Sequence, residues 1–170
     1  MASNGLMAFF TPSDNEPPSS NAATPDLRNG HLVLDFDDTT DEEAVFLGVL
    51  PPLNYAGGGL TVTLGWSASD TTVTPHNVVW QAAIERNNDD GRDMDSDGFA
   101  SFQSSGASQE ASASGKLKYT TIAFTDGAQM GSLAAGEAFR IKIRRDADNA
   151  SGTDSLTGDA ELRFVKITET

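Results

Sequence analysis

The chain has 170 residues, of which 38% are hydrophobic, and this length and composition fit one domain built around one core. Its formal net charge of −14 opposes binding to nucleic acid phosphates, and no apolar run approaches the ~20 residues that would span a membrane. The absence of cysteine excludes disulfides, thiol catalysis and cysteine-ligated zinc.

The first 30 residues differ in composition from the rest of the chain. TPSDNEPPSSNAATPDLRNG is rich in Pro, Ser, Asn and Asp and cannot bury a core of its own. We therefore predict an extended N-terminal arm over residues 1–30 and a folded domain over residues 31–170. Four apolar residues near its start are predicted to bind a partner or a neighbouring subunit: Leu6, Met7, Phe9 and Phe10. On this hypothesis, deleting residues 1–28 leaves a folded domain that no longer attaches.

From residue 31 onward the hydrophobic residues recur with period two, which is typical of half-buried β-strands. Strands are predicted in LVLDF, AVFLGVL, LTVTLGW, VVWQAAIER, FASF, KLKYTTIAFT, AFRIKIRR and AELRFVKIT. In AELRFVKIT the alternation runs through Leu162 and Phe164, and in KLKYTTIAFT a change of phase after Tyr119 predicts a β-bulge. No window keeps a helical period over a dozen residues. The sequence therefore predicts an all-β fold, an antiparallel β-sandwich or jelly roll of about eight strands.

The segment LDFDDTT matches the start of aspartate-nucleophile phosphatases, in which Asp35 would attack phosphorus, Asp37 would donate a proton and Thr39 would orient them. That chemistry also needs a parallel sheet flanked by helices, and the sequence shows no such helices. We therefore expect Asp35 and Asp37 to lie on the hydrated side of a strand, and we expect no enzymatic activity.

The acidic loop NNDDGRDMDSDGF places Asp93, Asp95 and Asp97 before Gly98, as in the first half of a calcium-binding loop. The twelfth position, where a bidentate glutamate would stand, is Ser104. A calcium site at these three aspartates and a solvated acidic hairpin loop both fit the pattern. We expect no other cofactor.

Four basic residues lie close together in AFRIKIRR: Arg140, Lys142, Arg144 and Arg145. They fit an interface with an acidic surface and also the ordinary solvent face of a strand.

Three parts of the chain carry a resemblance to a known group of proteins: YAGGGLTVTLGWSAS, NVVWQAAIER and FRIKIRRDADNASGTDSLTGDAELRFVKI. Over residues 30–170 the sequence resembles the small jelly-roll virion proteins of tailed bacteriophages, of the capsid decoration or cement type. The resemblance implies a protein on the capsid surface of the virion, often a homotrimer, whose partners are the major capsid protein and neighbouring copies of itself. It implies no catalytic residues, no nucleic acid partner and no membrane.

Carbohydrate-binding modules and tail-associated adhesins share the sandwich architecture, so this role remains the alternative. In that case the aromatic residues Tyr55, Trp66 and Trp80 would stack on sugars. Their alternation with polar residues also fits positions in the core.

Overall fold

The segments with period-two alternation form two antiparallel sheets packed face to face in the computed structural model, which describes residues 5–70 and 75–170. Its strands are β1 (Leu6–Phe10), β2 (Thr24–Arg28), β3 (His31–Phe36), β4 (Glu43–Val49), β5 (Leu60–Ala68), β6 (Asn77–Asn87), β7 (Gln103–Gln109), β8 (Lys118–Phe124), β9 (Ala138–Arg145) and β10 (Ala160–Glu169). The helical elements are two 3-10 turns, Pro12–Asp14 and Ala128–Met130. None of the helical segments in these described ranges has the length and apolar character to cross a bilayer. The predicted all-β antiparallel sandwich is confirmed.

One sheet has six strands and the other has four. In the larger sheet the order is β2-β3-β10-β5-β8, and β1 also pairs with β10. The first part of β10 pairs with β3 and the second part with β1, so β1 continues the line of β3 along the same side of β10. The smaller sheet has the order β4-β9-β6-β7.

The core lies between the two sheets and is centred on tryptophan. The ring of Trp80 meets those of Phe36 and Trp66 edge-on, at centroid distances of 5.0 and 5.9 Å. All three side chains are fully buried. The indole N–H of Trp66 donates to Thr120 Oγ1 at 2.9 Å, so this polar atom is satisfied inside the core.

The N-terminal segment is part of the sandwich, which corrects the boundary predicted at residue 30. β1 pairs antiparallel with β10, and Met7 and Phe10 are buried in the core of the same chain. The ring of Phe10 stacks on that of Phe46 in the opposite sheet at 5.4 Å. Burying the apolar side chains of Met7 and Phe10 in the core is more favourable than leaving them in water.

The polar stretch of residues 11–23 lies along the edge strand β4. Glu16 N–H donates to Val45 O at 2.7 Å, Val45 N–H donates to Asn15 Oδ1 at 3.0 Å, and Ala23 N–H donates to Glu43 O at 2.9 Å. These bonds cover a strand edge that would otherwise be free to pair with another chain. The composition correctly indicated that the segment needs a surface to lie on, but that surface belongs to its own chain.

Two predictions about individual strands are wrong. FASF is an irregular segment, and the neighbouring strand is β7, whose sequence QSSGASQ contains no apolar residue larger than Ala107. β8 keeps a regular alternation and pairs with β5 without a shift of register, so it has no bulge. With β1 and β2 added, the described chain has ten strands where about eight were predicted.

Candidate functional site

The aromatic residues that the sequence offered for ligand stacking are in the interior. Trp66 and Trp80 are fully buried and Tyr55 is 8% exposed, with its hydroxyl donating to Gly58 O at 2.6 Å. Their alternation with polar residues therefore indicated core positions, and they are not available to a ligand.

A different set of aromatic residues lies on the outer face of the six-stranded sheet. Phe9 stacks on Phe164 with ring centroids 5.3 Å apart and planes 23° apart, and Tyr119 meets Phe164 edge-on at 5.4 Å. Phe9 is 51% exposed and Tyr119 is 60% exposed. We call Phe9, Phe164 and Tyr119 the aromatic ribbon. It crosses the sheet from β1 over β10 and β5 to β8.

Two features of the backbone place the aromatic ribbon. The register between β10 and β5 shifts between Leu162 and Phe164, so Leu162 faces the core and Phe164 faces outward. Gly65 on β5 then lies under the Phe164 ring, because a Cβ atom at Gly65 would come 2.2 Å from that ring. The phenylalanine therefore lies flat over a strand position that has no side chain.

A groove of about 650 Å³ opens beside the ribbon. Phe9 and Phe164 line its apolar part, and Arg28, Lys116 and Arg163 line its polar part. Arg28 is held in place, since its guanidinium donates to Glu161 Oε2 and to Ser114 Oγ, both at 2.5 Å. The groove thus combines stacked rings with three cationic side chains, of which Arg28 is held by an ion pair.

Most of the basic side chains are neutralised by ion pairs. Seven of the eleven form ion pairs with acidic side chains: Arg28, Arg86, Arg92, Arg140, Lys142, Arg144 and Arg145. The other four, for which the described residues provide no ion pair, are Lys116, Lys118, Arg163 and Lys166. Lys116 and Arg163 line the groove, and Lys166 pairs with Phe9, so these three lie beside the aromatic ribbon. Lys118 pairs with the inward-facing Trp66 and lies on the other side of β8.

The basic residues of β9 are paired inside the smaller sheet. Arg140 contacts Glu85 at 2.5 Å and Lys142 contacts Glu43 at 2.7 Å, in both cases on a neighbouring strand. Arg145 is fully buried against Asp154. The structure therefore favours the solvent face of a strand over an interface for this stripe.

The four apolar residues predicted to bind a partner are divided between two faces. Met7 and Phe10 are buried and cannot contact a partner, which corrects that part of the prediction. Leu6 and Phe9 are 53% and 51% exposed, and for these two residues partner binding stays a prediction.

The aspartates of the acidic loop do not converge on one point. Asp93 accepts hydrogen bonds from Asp95 N–H at 3.0 Å and Ser96 Oγ at 2.8 Å, and Asp97 accepts one from Asp93 N–H at 2.8 Å. These carboxylates stabilise their own turn, so the predicted calcium loop is not formed in this arrangement. Among the described residues, a different group brings three carboxylates within 4.8 Å of one another: Asp41, Asp146 and Asp148.

Asp146 is the buried member of that group. Its side chain is fully buried, and its Oδ2 accepts hydrogen bonds from Ser151 N–H at 2.7 Å and Ser151 Oγ at 2.6 Å. Burial raises the pKa of this carboxyl, but hydrogen bonds from Ser151, Asp148 and Ala150 together hold the pKa below its ordinary value. Asp146 is therefore ionised at neutral pH.

The two aspartates of the phosphatase-like motif are not arranged for that chemistry. Asp37 Oδ1 accepts hydrogen bonds from Thr39 N–H, Thr39 Oγ1 and Thr40 N–H, and so closes the turn after β3. Asp35 lies on an antiparallel strand opposite Glu161. Burial, followed by repulsion from Glu161, raises the pKa of Asp35 to about 7.

Comparison with known proteins gives distant likenesses among solved structures. No family model and no curated protein matches the chain. Among solved structures, it is similar to the CBM22-1 and GH10 modules of endo-1,4-β-D-xylanase 10B from Clostridium thermocellum, complexed with xylohexaose, at 11% identity and a TM-score of 0.43. The match covers 99% of this chain and 27% of that one, so the chain spans about a quarter of the xylanase fragment. These comparisons identify no phage family.

Proposed function

We propose that this protein is a non-enzymatic attachment protein that docks onto a larger assembly through the outer face of its six-stranded sheet. The observation that carries the proposal is the aromatic ribbon, an ordered row of three rings left open to solvent in the middle of a sheet. Protein interfaces are enriched in aromatic residues at the centre and polar residues at the rim. Contiguous exposed apolar surface of this kind marks a contact site more often than a free surface.

The specific form of the proposal is a capsid decoration or cement protein on the virion surface, with the major capsid protein and neighbouring copies as partners. Its support is the sequence resemblance to phage jelly-roll proteins, together with the position of the N-terminal strand. Phe9 belongs to the aromatic ribbon, and Leu6 is exposed on the same strand. The exposed half of the N-terminal segment thus adds to the same docking face.

The test is binding of the purified protein to tailed-phage capsids that lack it, measured by co-sedimentation. We expect Tyr119→Ala combined with Phe164→Ala to lower the affinity at least tenfold, because central aromatic residues carry most of the binding energy of an interface. Leu53→Ala is the matched control, since Leu53 is 97% exposed in a turn away from the sheet face. Equal binding by the double variant and wild type would refute the docking face, and no binding by wild type would refute the capsid role.

The groove favours one second candidate, a carbohydrate-binding or tail adhesin role. Pyranose rings have apolar C–H faces that stack on aromatic rings, and their hydroxyls bond to polar side chains such as Arg28 and Ser114 at the groove wall. A glycan array probed with wild type and with Phe164→Ala tests it. Signals that depend on Phe164 support this role, and an array without signals removes it.

A further inference from the structure

Three carboxylates from two separate parts of the chain meet at one end of the smaller sheet. Asp41 precedes β4, and Asp146 and Asp148 follow β9, the strand paired with β4. One carboxylate oxygen of each lies within 4.8 Å of the others. Three like charges at this spacing repel one another strongly unless something between them carries positive charge.

The buried member of the group has an oxygen without a partner. Asp146 is fully buried, and both hydrogen bonds from Ser151 go to its Oδ2. Its Oδ1 is shielded from solvent and has no hydrogen-bond donor among the described residues. A buried carboxylate oxygen left without a donor is costly, and such oxygens are normally satisfied by a donor or a cation.

The neighbouring basic residues do not compensate these charges. Arg144 Nη1 is 3.5 Å from Asp41 Oδ2, a loose ion pair, and Arg144 Nε donates to Gln81 Oε1 at 2.7 Å. Arg145 precedes Asp146 in sequence, but all its donor groups are used on Asp154 and on the carbonyls of Phe36, Leu156 and Gly158. One cation therefore faces three carboxylates.

The backbone already holds the loop in this form. Asp148 N–H donates to Asp41 Oδ1 at 3.2 Å, Asn149 N–H donates to Asp146 O at 3.3 Å, and Asp146 N–H donates to Val79 O at 2.9 Å. Asp41 and the loop after β9 are thus joined before any ligand is added, and a cation would not have to order them.

We propose that Asp41, Asp146 and Asp148 bind a calcium ion that joins the loop before β4 to the loop after β9. The donor set consists of oxygens alone, which selects a hard cation, and three carboxylates from two loops suit the irregular coordination of calcium better than the strict octahedron of magnesium. Water completes the coordination on the side of Asp148, which is exposed.

The experiment uses the full-length protein after chelation, titrated with calcium and followed by its melting temperature. At a concentration about a hundred times the dissociation constant we expect a rise of about 5 °C, since the ion binds the folded chain alone. Terbium luminescence excited through tryptophan gives a second readout, because Trp80 pairs with Arg145, the residue before Asp146.

Asp41→Asn and Asp148→Asn should each abolish the calcium-dependent rise and the terbium signal. Both residues are outside the core, so these variants should fold. Asp93→Asn, in the acidic loop, is the control and should respond as wild type does. The competing explanation is a proton shared between Asp146 and Asp148. A melting temperature that depends on pH but not on calcium would therefore overturn the proposal. A calcium response that is lost in Asp93→Asn and kept in Asp148→Asn would overturn it too.

Discussion

Arg145 shows how one buried side chain can organise several loops. Its guanidinium is fully buried, forms a two-point ion pair with Asp154 at 2.7 and 3.0 Å, and donates to the carbonyls of Phe36, Leu156 and Gly158. All five of its donors are therefore satisfied, as a buried guanidinium requires. Because Phe36 ends β3 and Gly158 precedes β10, Arg145 fixes the end of the six-stranded sheet from a strand of the other sheet.

Asp35 gives a prediction of pH dependence at the same scale. Burial and the nearby Glu161 raise the pKa of Asp35 to about 7, and its Oδ1 has no hydrogen-bond partner among the described residues. The folded state thus holds this proton more tightly than the unfolded chain. Its contribution to stability is intact below the ordinary aspartate pKa of about 4 and is lost as the pH rises through about 7.

Asp35→Asn removes this dependence. Relative to wild type, we expect the free energy of unfolding of the variant to rise by about 1–2 kcal/mol between about pH 4 and pH 8. This energy is reduced to allow for partial solvent screening. Urea unfolding at a series of pH values measures the difference. Asp89→Asn, at an exposed position, should show no such trend. A difference between Asp35→Asn and wild type that is constant with pH would contradict the assignment.

At the scale of elements, β1 is a strand of the core and not a detachable arm. Removing residues 1–10 takes Met7 and Phe10 out of the core and exposes one side of β10. At roughly 1.5–3 kcal/mol for each large buried side chain, we expect a loss of about 3–6 kcal/mol, comparable to the total stability of many domains. Urea unfolding of the truncated chain measures it.

Leu6→Ser is the control for the truncation, because Leu6 is 53% exposed on the same strand. This substitution should lower the free energy of unfolding by less than about 1 kcal/mol. A truncated chain as stable as wild type would show that β1 is held weakly, as the arm hypothesis supposed.

The elements that the sequence predicted well are those whose alternation is carried by apolar residues, such as β5, β6 and β9. β7 was missed because the one apolar residue of its sequence, QSSGASQ, is Ala107, which is exposed and does not mark an inward face. In β8 the inward position is a threonine and the outward one a tyrosine, so the hydrophobic pattern suggested a bulge that is absent. The actual bulge in β10 turned Phe164 outward, and the glycine opposite it, Gly65, was the available signal.

At the scale of the whole molecule, the distribution of charge is strongly uneven. The net charge is −14, yet the four basic residues without ion-pair partners among the described residues lie on β8, the turn before it, and β10. Two copies meeting through the aromatic ribbon would bring Lys116, Arg163 and Lys166 of one copy close to the same residues of the other. A contact between this face of one copy and an acidic surface of the next is heterologous. Heterologous contacts form rings such as trimers where the rotation between copies closes, and open filaments where it does not.

We therefore predict self-association that depends on salt. At low ionic strength, sedimentation should show a species of about three times 17.9 kDa, and about 1 M salt should dissociate it, because the Debye length then falls to about 3 Å. Lys166→Gln should weaken the association, since Lys166 lies on β10 beside Phe9. Leu53→Glu changes the net charge by the same single unit at a turn outside the aromatic face, and it should leave the association unchanged. A protein that is monomeric at every salt concentration would contradict a heterologous ring, as would a dimer whose stability does not depend on salt. If both variants weaken association equally, net charge governs it and the aromatic face does not.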